Sequence, residues 1–265
     1  NWTGEFKNAC RDVYLASAGN LQGMSAMTMT RNSILYFESG STSIDEFRDR
    51  LPDDLPVNTD GYVRMRLRGT GGVFSGEEKV GTANLQGGQL GLEFDIGADI
   101  TGGANRLQGD YAIWHFTELN RGVGTSIHLR PVDSGVRFAT KDFGTTQFND
   151  VVGLQVDVLP AMTGAGDGTN GDAPVVQGVF AGIRPDWFNT AGTGNLYNED
   201  RISNRLTTVD TTPGGAQFIR PLTDAEYTVI SHPNAAVTEN VPIETLGLTV
   251  DQNLKIVGVT TDTGI

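Results

Sequence analysis

The chain has 265 residues, among them 35 glycines, and a formal net charge of −13 at pH 7. A summed negative potential of this size repels nucleic acid and anionic lipid, so neither is an expected partner. No apolar run approaches the about 20 residues that a membrane helix needs, so no membrane span is predicted. The single cysteine, Cys10, excludes an intrachain disulfide and a thiolate-bound metal cluster.

The acidic character comes mainly from aspartate, with 21 Asp against 11 Glu, while the cations are 15 Arg and only 4 Lys. Strongly hydrated carboxylates keep a protein soluble in salty surroundings, so this composition favours a marine or halophilic source. The first residue is Asn1, and no basic-then-apolar signal pattern follows it. We expect that an upstream segment has been removed and that the protein is extracellular, on a cell surface or in a virion.

Apolar and polar residues alternate along much of the chain, most clearly at 62–68, 89–96 and 151–159. A period of two indicates half-buried strands, and the scattered glycines fit many tight turns. One short helix is predicted at 43–51, where Ser43 and Glu46 form a capping box and Pro52 follows. The pattern predicts an all-β protein, an antiparallel β-sandwich or jelly roll. No repeat with a fixed period of about 20 to 50 residues is visible, which disfavours a solenoid or a propeller.

The clearest change in composition is the Gly-rich segment 163–172. Such a segment is either a domain linker or a long surface loop. We therefore divide the chain into a β-sandwich domain at 1–162 and a region at 173–265 that is a second β region or a continuation of the same sandwich.

Three arginines, Arg64, Arg66 and Arg68, alternate along one predicted strand of this acidic chain. Like charges at this spacing repel one another unless anions face them. Two interpretations stay open. The anions belong either to an acidic strand of the same chain, or to a separate acidic partner such as a neighbouring subunit or an acidic glycan.

A set of oxygen-bearing side chains lies in the Gly-rich segment. Carboxylate, hydroxyl and amide oxygens are the ligands that Ca²⁺ prefers, although the spacing is not that of an EF-hand. The candidate calcium ligands are Asp167, Thr169, Asn170 and Asp172. The other interpretation is a hydrated turn without a metal, and no other cofactor is predicted.

Two carboxylates, Glu93 and Asp95, share one face of a predicted strand, about 7 Å apart at Cα. This spacing resembles part of the Glu-x-Asp-x-x-Glu strand of β-sandwich glycoside hydrolases, and the resemblance implies a catalytic pair. Ala98 stands where that strand has its acid, so we expect two solvated carboxylates instead. A lyase using His128 with Tyr111 or Tyr227 is a weaker option, and no nucleotide or protease motif is present.

We therefore expect a protein that is not an enzyme and that has no catalytic residues. The leading interpretation is a structural subunit of an extracellular assembly, such as a virion capsid or tail component, a surface filament or an envelope layer. Its partners are then copies of itself or other assembly subunits. The alternative is a secreted carbohydrate-binding or adhesive β-sandwich that uses exposed aromatics such as Trp114, Trp187 and Phe188, with calcium as an aid.

Overall fold

The structure is a computed structural model in which nearly all described residues belong to β-strands or the turns between them. The described residues are 3–9, 11–16, 19–39, 50–69, 75–95, 111–131, 137–143, 151–164, 173–183, 203–223, 226, 228–231 and 254–257. Within these ranges no α-helix occurs, and so there is no helix long and apolar enough to cross a membrane. The all-β prediction is confirmed.

Seventeen strands are present in the described part of the chain. In chain order they are β1 (Gly4–Asn8), β2 (Asp12–Ala16), β3 (Met24–Thr30), β4 (Ile34–Ser39), β5 (Val57–Gly69), β6 (Ser75–Asp95), β7 (Tyr111–Arg121), β8 (Ser126–Pro131), β9 (Arg137–Phe138), β10 (Val151–Val156), β11 (Met162–Thr163), β12 (Val175–Val176), β13 (Val179–Ile183), β14 (Ser203–Thr211), β15 (Gln217–Pro221), β16 (Thr228–Ser231) and β17 (Leu254–Val257).

Successive stretches of the chain lie side by side and run in the same direction. We call each stretch a rung: rung 1 is β1 with β2, rung 2 is β3 with β4, rung 3 is β5, rung 4 is β6, rung 5 is β7 with β8, and rung 6 is β10 with β13. Each rung pairs in parallel with the next, so that Met27 lies beside Val57, and Val57 beside Ala83. Parallel stacking of consecutive rungs is the arrangement of a β-solenoid.

The rungs align in three columns of paired strands. The first column contains residues 75–80, 111–116 and 151–156; the second contains 4–8, 24–30, 57–60, 83–87 and 119–121; the third contains 12–16, 34–39, 64–69, 89–95, 126–131 and 179–183. A single rung thus contributes to more than one column, because long strands such as β6 run through all three.

Apolar side chains stack in rows along the inside of the columns. In the third column Leu35, Met65, Leu92 and Leu129 occupy equivalent positions on successive rungs, and all are 0% exposed. Each such side chain contributes about 1.5 to 3 kcal/mol by leaving water. Since rows from all three columns belong to one hydrophobic cluster, the interior of the stack is its core.

Two buried charged side chains, those of Glu78 and Arg50, link different rungs inside this core. The Glu78 carboxylate is fully buried and accepts the backbone N–H groups of Arg50 and Leu51 at 3.2 and 2.8 Å. The buried Arg50 guanidinium donates to the carbonyl oxygens of Leu15 at 2.5 Å and Glu38 at 2.9 Å. Rungs 1, 2 and 4 are therefore joined by hydrogen bonds as well as by apolar contact.

The turns that lead into the third column share a backbone conformation on several rungs. A residue with positive φ comes shortly before the third-column strand on rungs 2 to 6, and these residues are Arg31, Asn32, Gly61, Gly88, Gly124 and Gly178. At Gly88 the corners of neighbouring rungs also come close, since a Cβ there would lie 2.3 Å from the Gly61 carbonyl oxygen. Glycine is required at this position by conformation and by space.

The last rung is covered by a hairpin formed from β14 and β15. β15 pairs antiparallel with β10 in the first column, and β14 pairs antiparallel with β13 in the third. Because β6 pairs with both β7 and β8, these strands close into a ring in the order β6, β7, β10, β15, β14, β13 and β8. The edge of the last rung is thereby hydrogen-bonded to the same chain, which protects it against other strands.

Parts of the predicted architecture need correction. Eleven of the fifteen described strand pairings are parallel, so the expected antiparallel pairing is wrong for most of the large mixed sheet, and a sandwich or jelly roll is not confirmed. Alternation fixes which side chains point inward but not the direction of the neighbouring strand. The argument against a solenoid is also wrong, because the stacked rungs differ in length and therefore leave no fixed period in the sequence.

Two further predictions concern the helix and the domain boundary. Residues 43–49 of the predicted helix lie outside the described residues, and residues 50 and 51 are not helical. Strands β13 to β15, which follow the Gly-rich segment, belong to the same sheet as β8 and β10, which precede it. The division of the chain at 163–172 stays a prediction.

The corner glycines provide a test of the rung register. Gly88→Ala and Gly124→Ala both place a methyl group on a residue with positive φ, but only Gly88 faces a neighbouring backbone, because nothing lies within 4 Å of a Cβ at Gly124. We expect Gly124→Ala to lower the free energy of unfolding by about 1 to 2 kcal/mol. Gly88→Ala should cost about 1 to 3 kcal/mol more, through overpacking. Chemical denaturation measures both, and equal losses would contradict the stacked corners.

Candidate interaction surface

The outward side of the third column has a continuous row of polar and aromatic side chains. In-register parallel strands place equivalent residues about 4.8 Å apart, so their side chains stack on one another. The row, which we call the charged ladder, consists of Tyr14, Tyr36, Arg66, Glu93 and Arg130 on rungs 1 to 5.

Glu93 is the centre of the charged ladder. Arg66 donates to its Oε2 from Nε at 2.6 Å and from Nη2 at 2.5 Å. Arg64 and Arg130 approach its Oε1 at 3.4 and 3.5 Å. Glu93 is only 1% exposed, so the expectation of a solvated carboxylate is wrong. It does point outward as predicted, but guanidinium groups cover it.

Each arginine of the predicted cationic row contacts an acid of the same chain. Arg64 and Arg66 meet Glu93, and Arg68 meets Glu38 at 2.9 Å. The first of the two sequence interpretations, an internal acidic partner, is therefore what the contacts show. The binding of these residues to a separate acidic partner stays a prediction. Each of these guanidinium groups contacts a carboxylate of the same chain, which leaves less positive charge for a partner than the sequence suggests.

Aromatic rings extend the charged ladder to its first rung. The Arg66 guanidinium lies over the Tyr36 ring, 5.3 Å from its centroid. Tyr36 in turn stacks on Tyr14 with centroids 4.4 Å apart and planes inclined by 5°. Tyr14 is 50% exposed. Since the two rings come from equivalent positions on neighbouring rungs, the uncovered side of Tyr14 faces away from the stack along its axis.

The first rung also leaves the interior incompletely covered. Val13 and Leu15 point inward but are only half-buried, whereas Leu35 and Phe37 beside them on rung 2 are fully buried. In the described part of the chain, β1 and β2 pair on one side alone, with β3 and β4. Among the described strands, β2 therefore has an open edge next to the half-buried Val13 and Leu15, whereas the edges of β10 and β13 on rung 6 are paired with the hairpin.

Charged groups on rung 1 balance one another. Glu5 and Lys7 form an ion pair at 3.0 Å, and exposed Arg11 precedes exposed Asp12. The two cations and two anions that the structure describes on this rung sum to zero. Among the described residues, rung 1 therefore carries none of the excess negative charge of the chain.

A second polar cluster lies on the outward side of the first column. His115 is 5% exposed, and its Nδ1 contacts Glu77 while its Nε2 lies 2.6 Å from Asp157. Lys79 approaches the other oxygen of Asp157 at 3.4 Å. Only the imidazolium form donates from both ring nitrogens. A charged His115 therefore joins rungs 4, 5 and 6, because Glu77, His115 and the β10 segment lie on successive rungs.

The surroundings of His115 shift two pKa values in opposite directions. Burial lowers the pKa of His115, but the hydrogen bonds to Glu77 and Asp157 outweigh it, and the pKa is raised above 6.5. Burial raises the pKa of the Asp157 carboxyl, but His115 and Lys79 outweigh it, and that pKa is lowered. The two shifts agree, since each group stabilises the charged form of the other.

Other residues singled out from the sequence are not brought together. Asp167, Thr169, Asn170 and Asp172 lie outside the described residues, as do Trp187 and Phe188. No group of three or more His, Cys, Asp and Glu side chains that could hold a metal ion occurs among the residues that are described.

The lyase candidates occupy different columns. His128 lies in the third column against Phe180, with ring centroids 5.3 Å apart, and burial together with Arg130 lowers its pKa. Tyr111 lies in the first column against Phe143 at 5.7 Å. Trp114 is fully buried in the core, so it offers no exposed ring to a sugar. The side chain of Tyr227 lies outside the described residues.

Sequence reasoning missed an asparagine ladder on the second column. Asn120 donates to Asn84 at 3.3 Å, and Asn84 donates to Asn58 at 3.1 Å. Each of these asparagines stands three or four residues before a corner glycine, namely Gly61, Gly88 or Gly124. Aligning the chain on Asn-to-Gly spacing, instead of on a fixed period, would have revealed the rungs.

Comparisons of the chain with protein-family models, with curated proteins and with solved structures found no match.

The Glu93 contacts predict a large effect of one neutral substitution. Glu93→Gln removes the negative charge that three guanidinium groups contact, and it should lower the free energy of unfolding by about 2 to 3 kcal/mol. This loss is smaller than for a fully buried ion pair, because the arginines keep contact with solvent. The matched control is Glu38→Gln, whose partner Arg68 is more exposed and which should cost under about 1 kcal/mol. Urea denaturation compares the two, and equal costs would refute a central role of Glu93.

The His115 cluster predicts a pH dependence. With its raised pKa, protonated His115 stabilises the fold fully below the unfolded pKa near 6.5, and this stabilisation is lost as the pH rises through the folded value. The stability advantage over His115→Gln should therefore shrink as the pH rises above about 6.5. His128 has a pKa shift of the opposite sign, but it is common to both proteins and cancels in the difference. An advantage that stays constant with pH would contradict the charged cluster.

Proposed function

We propose that the protein is a structural subunit of an extracellular assembly, such as a virion capsid or tail component, a surface filament or an envelope layer, and that it acts through subunit contacts. The observation that supports this most is the open first rung. Its inward side chains Val13 and Leu15 are half-buried, and β2 has no strand partner on its outer side among the described residues. Exposed edges of this kind pair with other strands.

The ladders on the outside of the columns support the same proposal. Hydrogen bonds and ion pairs between rungs, in the charged ladder and among Asn58, Asn84 and Asn120, stiffen the stack along its axis. Glu93 and His115, which are the groups most suggestive of chemistry, are engaged in contacts between rungs. A stack whose rungs are joined by hydrogen bonds and ion pairs, and whose first rung has an open strand edge among the described residues, suits a building element.

The alternative is a secreted carbohydrate-binding or adhesive protein, which the half-exposed ring of Tyr14 favours. Tyrosine rings stack on sugars. The arginines of the charged ladder, Arg64, Arg66 and Arg68, would then face an acidic glycan. Against this option, the open face of Tyr14 points along the stack axis and not outward from the charged ladder.

Native imaging and mass photometry test the proposal at increasing protein concentration in high salt, with and without calcium. We expect association into dimers or larger ordered particles, because burial of the first rung removes apolar surface from water. A glycan array run in parallel tests the alternative. A protein that stays monomeric throughout contradicts the assembly role, and a glycan signal from such a monomer favours the alternative.

A further inference from the structure

We infer that rung 1 is the contact for a second copy of this chain, which docks head to head and pairs its β2 antiparallel with β2 of the first copy around Tyr14. This inference rests on the proposed assembly role and names the partner and the geometry of the contact. It is carried by the open core, the open aromatic stack, the covered opposite end and the local balance of charge.

The open core sets the chemistry of the occupant. Val13 and Leu15 continue the inward rows formed by Leu35 and Phe37, but they lack a further rung on their outer side in the described chain. An occupant must therefore supply both a strand edge and apolar side chains that point inward. A polar ligand or a glycan supplies neither of these.

Antiparallel pairing of two β2 strands meets both requirements. With Tyr14 opposite its own copy, Val13 lies opposite Leu15 of the second copy. Alternate residues share a face, so these apolar residues continue the interior while the tyrosines meet on the outside. Asp12 then lies opposite Ala16, and no like charges face each other across the pair.

The aromatic stack points to the same occupant. Tyr36 and Tyr14 are parallel at 4.4 Å, close to the separation of neighbouring strands. A tyrosine at the equivalent position of a further strand would continue this stack. The two-fold arrangement supplies such a tyrosine, because the residue nearest the axis pairs with its own copy.

The hairpin on rung 6 determines which end of the second copy docks. A head-to-tail contact would join rung 1 of one copy to rung 6 of the next and would extend without limit. β14 and β15 occupy the edges of β13 and β10, so rung 6 has no edge to offer at those strands. The contact is therefore between two first rungs, and it closes as a dimer.

Electrostatics permits this approach despite the acidity of the chain. Two bodies of charge −13 repel each other, and the repulsion is weakest where their local charge is balanced. Glu5, Lys7, Arg11 and Asp12 on rung 1 sum to zero. Added salt screens the remaining long-range repulsion, so it should strengthen the dimer.

The first experiment measures dimer dissociation by analytical ultracentrifugation. We expect the wild-type protein to dimerise more tightly as salt is raised, and Leu15→Lys to weaken the dimer at least about 100-fold, since each copy would bury an unpaired ammonium. The control is Val123→Lys, at a fully exposed apolar position on rung 5, which should dimerise like the wild type. Circular dichroism and thermal unfolding verify that each variant is folded.

The second experiment leaves the interior unchanged. In a Cys10→Ser background, Tyr14→Cys places two thiols at the two-fold axis, and mild oxidation should convert most of the protein into a covalent dimer. Val123→Cys in the same background should not cross-link. The N–H of Ile34 bonds to the carbonyl oxygen of Arg11, so the backbone groups of Tyr14 face the outer edge of β2, and two opposed Tyr14 residues form a hydrogen-bonded pair. The Cα atoms of such a pair are about 5.5 Å apart, which lies within the range that a disulfide spans.

The outcomes separate this inference from the broader proposal. Cross-linking at Tyr14→Cys together with loss of the dimer in Leu15→Lys supports the head-to-head contact. An assembly that persists in Leu15→Lys and does not cross-link at Tyr14→Cys overturns the contact and leaves the assembly role standing. A wild-type protein that is monomeric at every concentration and salt level overturns both.

Discussion

In-register parallel pairing is the constraint on which the rest of this structure depends. Once Met27 lies beside Val57 and Val57 beside Ala83, every other residue of each rung is placed relative to the next. Apolar residues then form continuous rows inside, and polar residues form ladders outside. A shift of one residue on any rung would exchange the two sides and place Glu93 in the core. The residues with positive φ support this register, because on rungs 2 to 6 they turn the backbone at equivalent positions, just before the third-column strand.

The same constraint explains why ionisable groups from distant parts of the sequence cluster on the outward side of the stack. Stacking brings Arg64, Arg66 and Arg130 onto one carboxylate, although the chain separates Glu93 from Arg130 by 37 positions. It likewise places Glu77 and Asp157 on the two ring nitrogens of His115. In both clusters a charge is neutralised across rungs, and the effect is cohesion along the axis of the stack. The perturbed pKa of His115 thus follows from the architecture.

The sequence predicts the faces of the strands but not their neighbours. Alternation at 62–68 and 89–96 correctly identifies Met65 and Leu92 as inward and Arg66 and Glu93 as outward. It does not reveal that these strands are adjacent and parallel, because pairing depends on contacts between residues 26 to 40 positions apart. The solvated state expected for Glu93 is wrong for the same reason, since its exposure is decided by arginines on other rungs. The unequal spacing of Asn58, Asn84 and Asn120 hides the repeat from a search for one period.

The hairpin of β14 and β15 has a consequence for the height of the stack. Each rung adds about 4.8 Å, the spacing of neighbouring strands. Because the hairpin occupies the edges of β10 and β13, no further strand can pair with them on rung 6. The height of the stack is therefore determined by the number of rungs that the sequence encodes. A taller stack requires a new segment inserted between two corner glycines, and neither the hairpin nor the first rung need change to accept it.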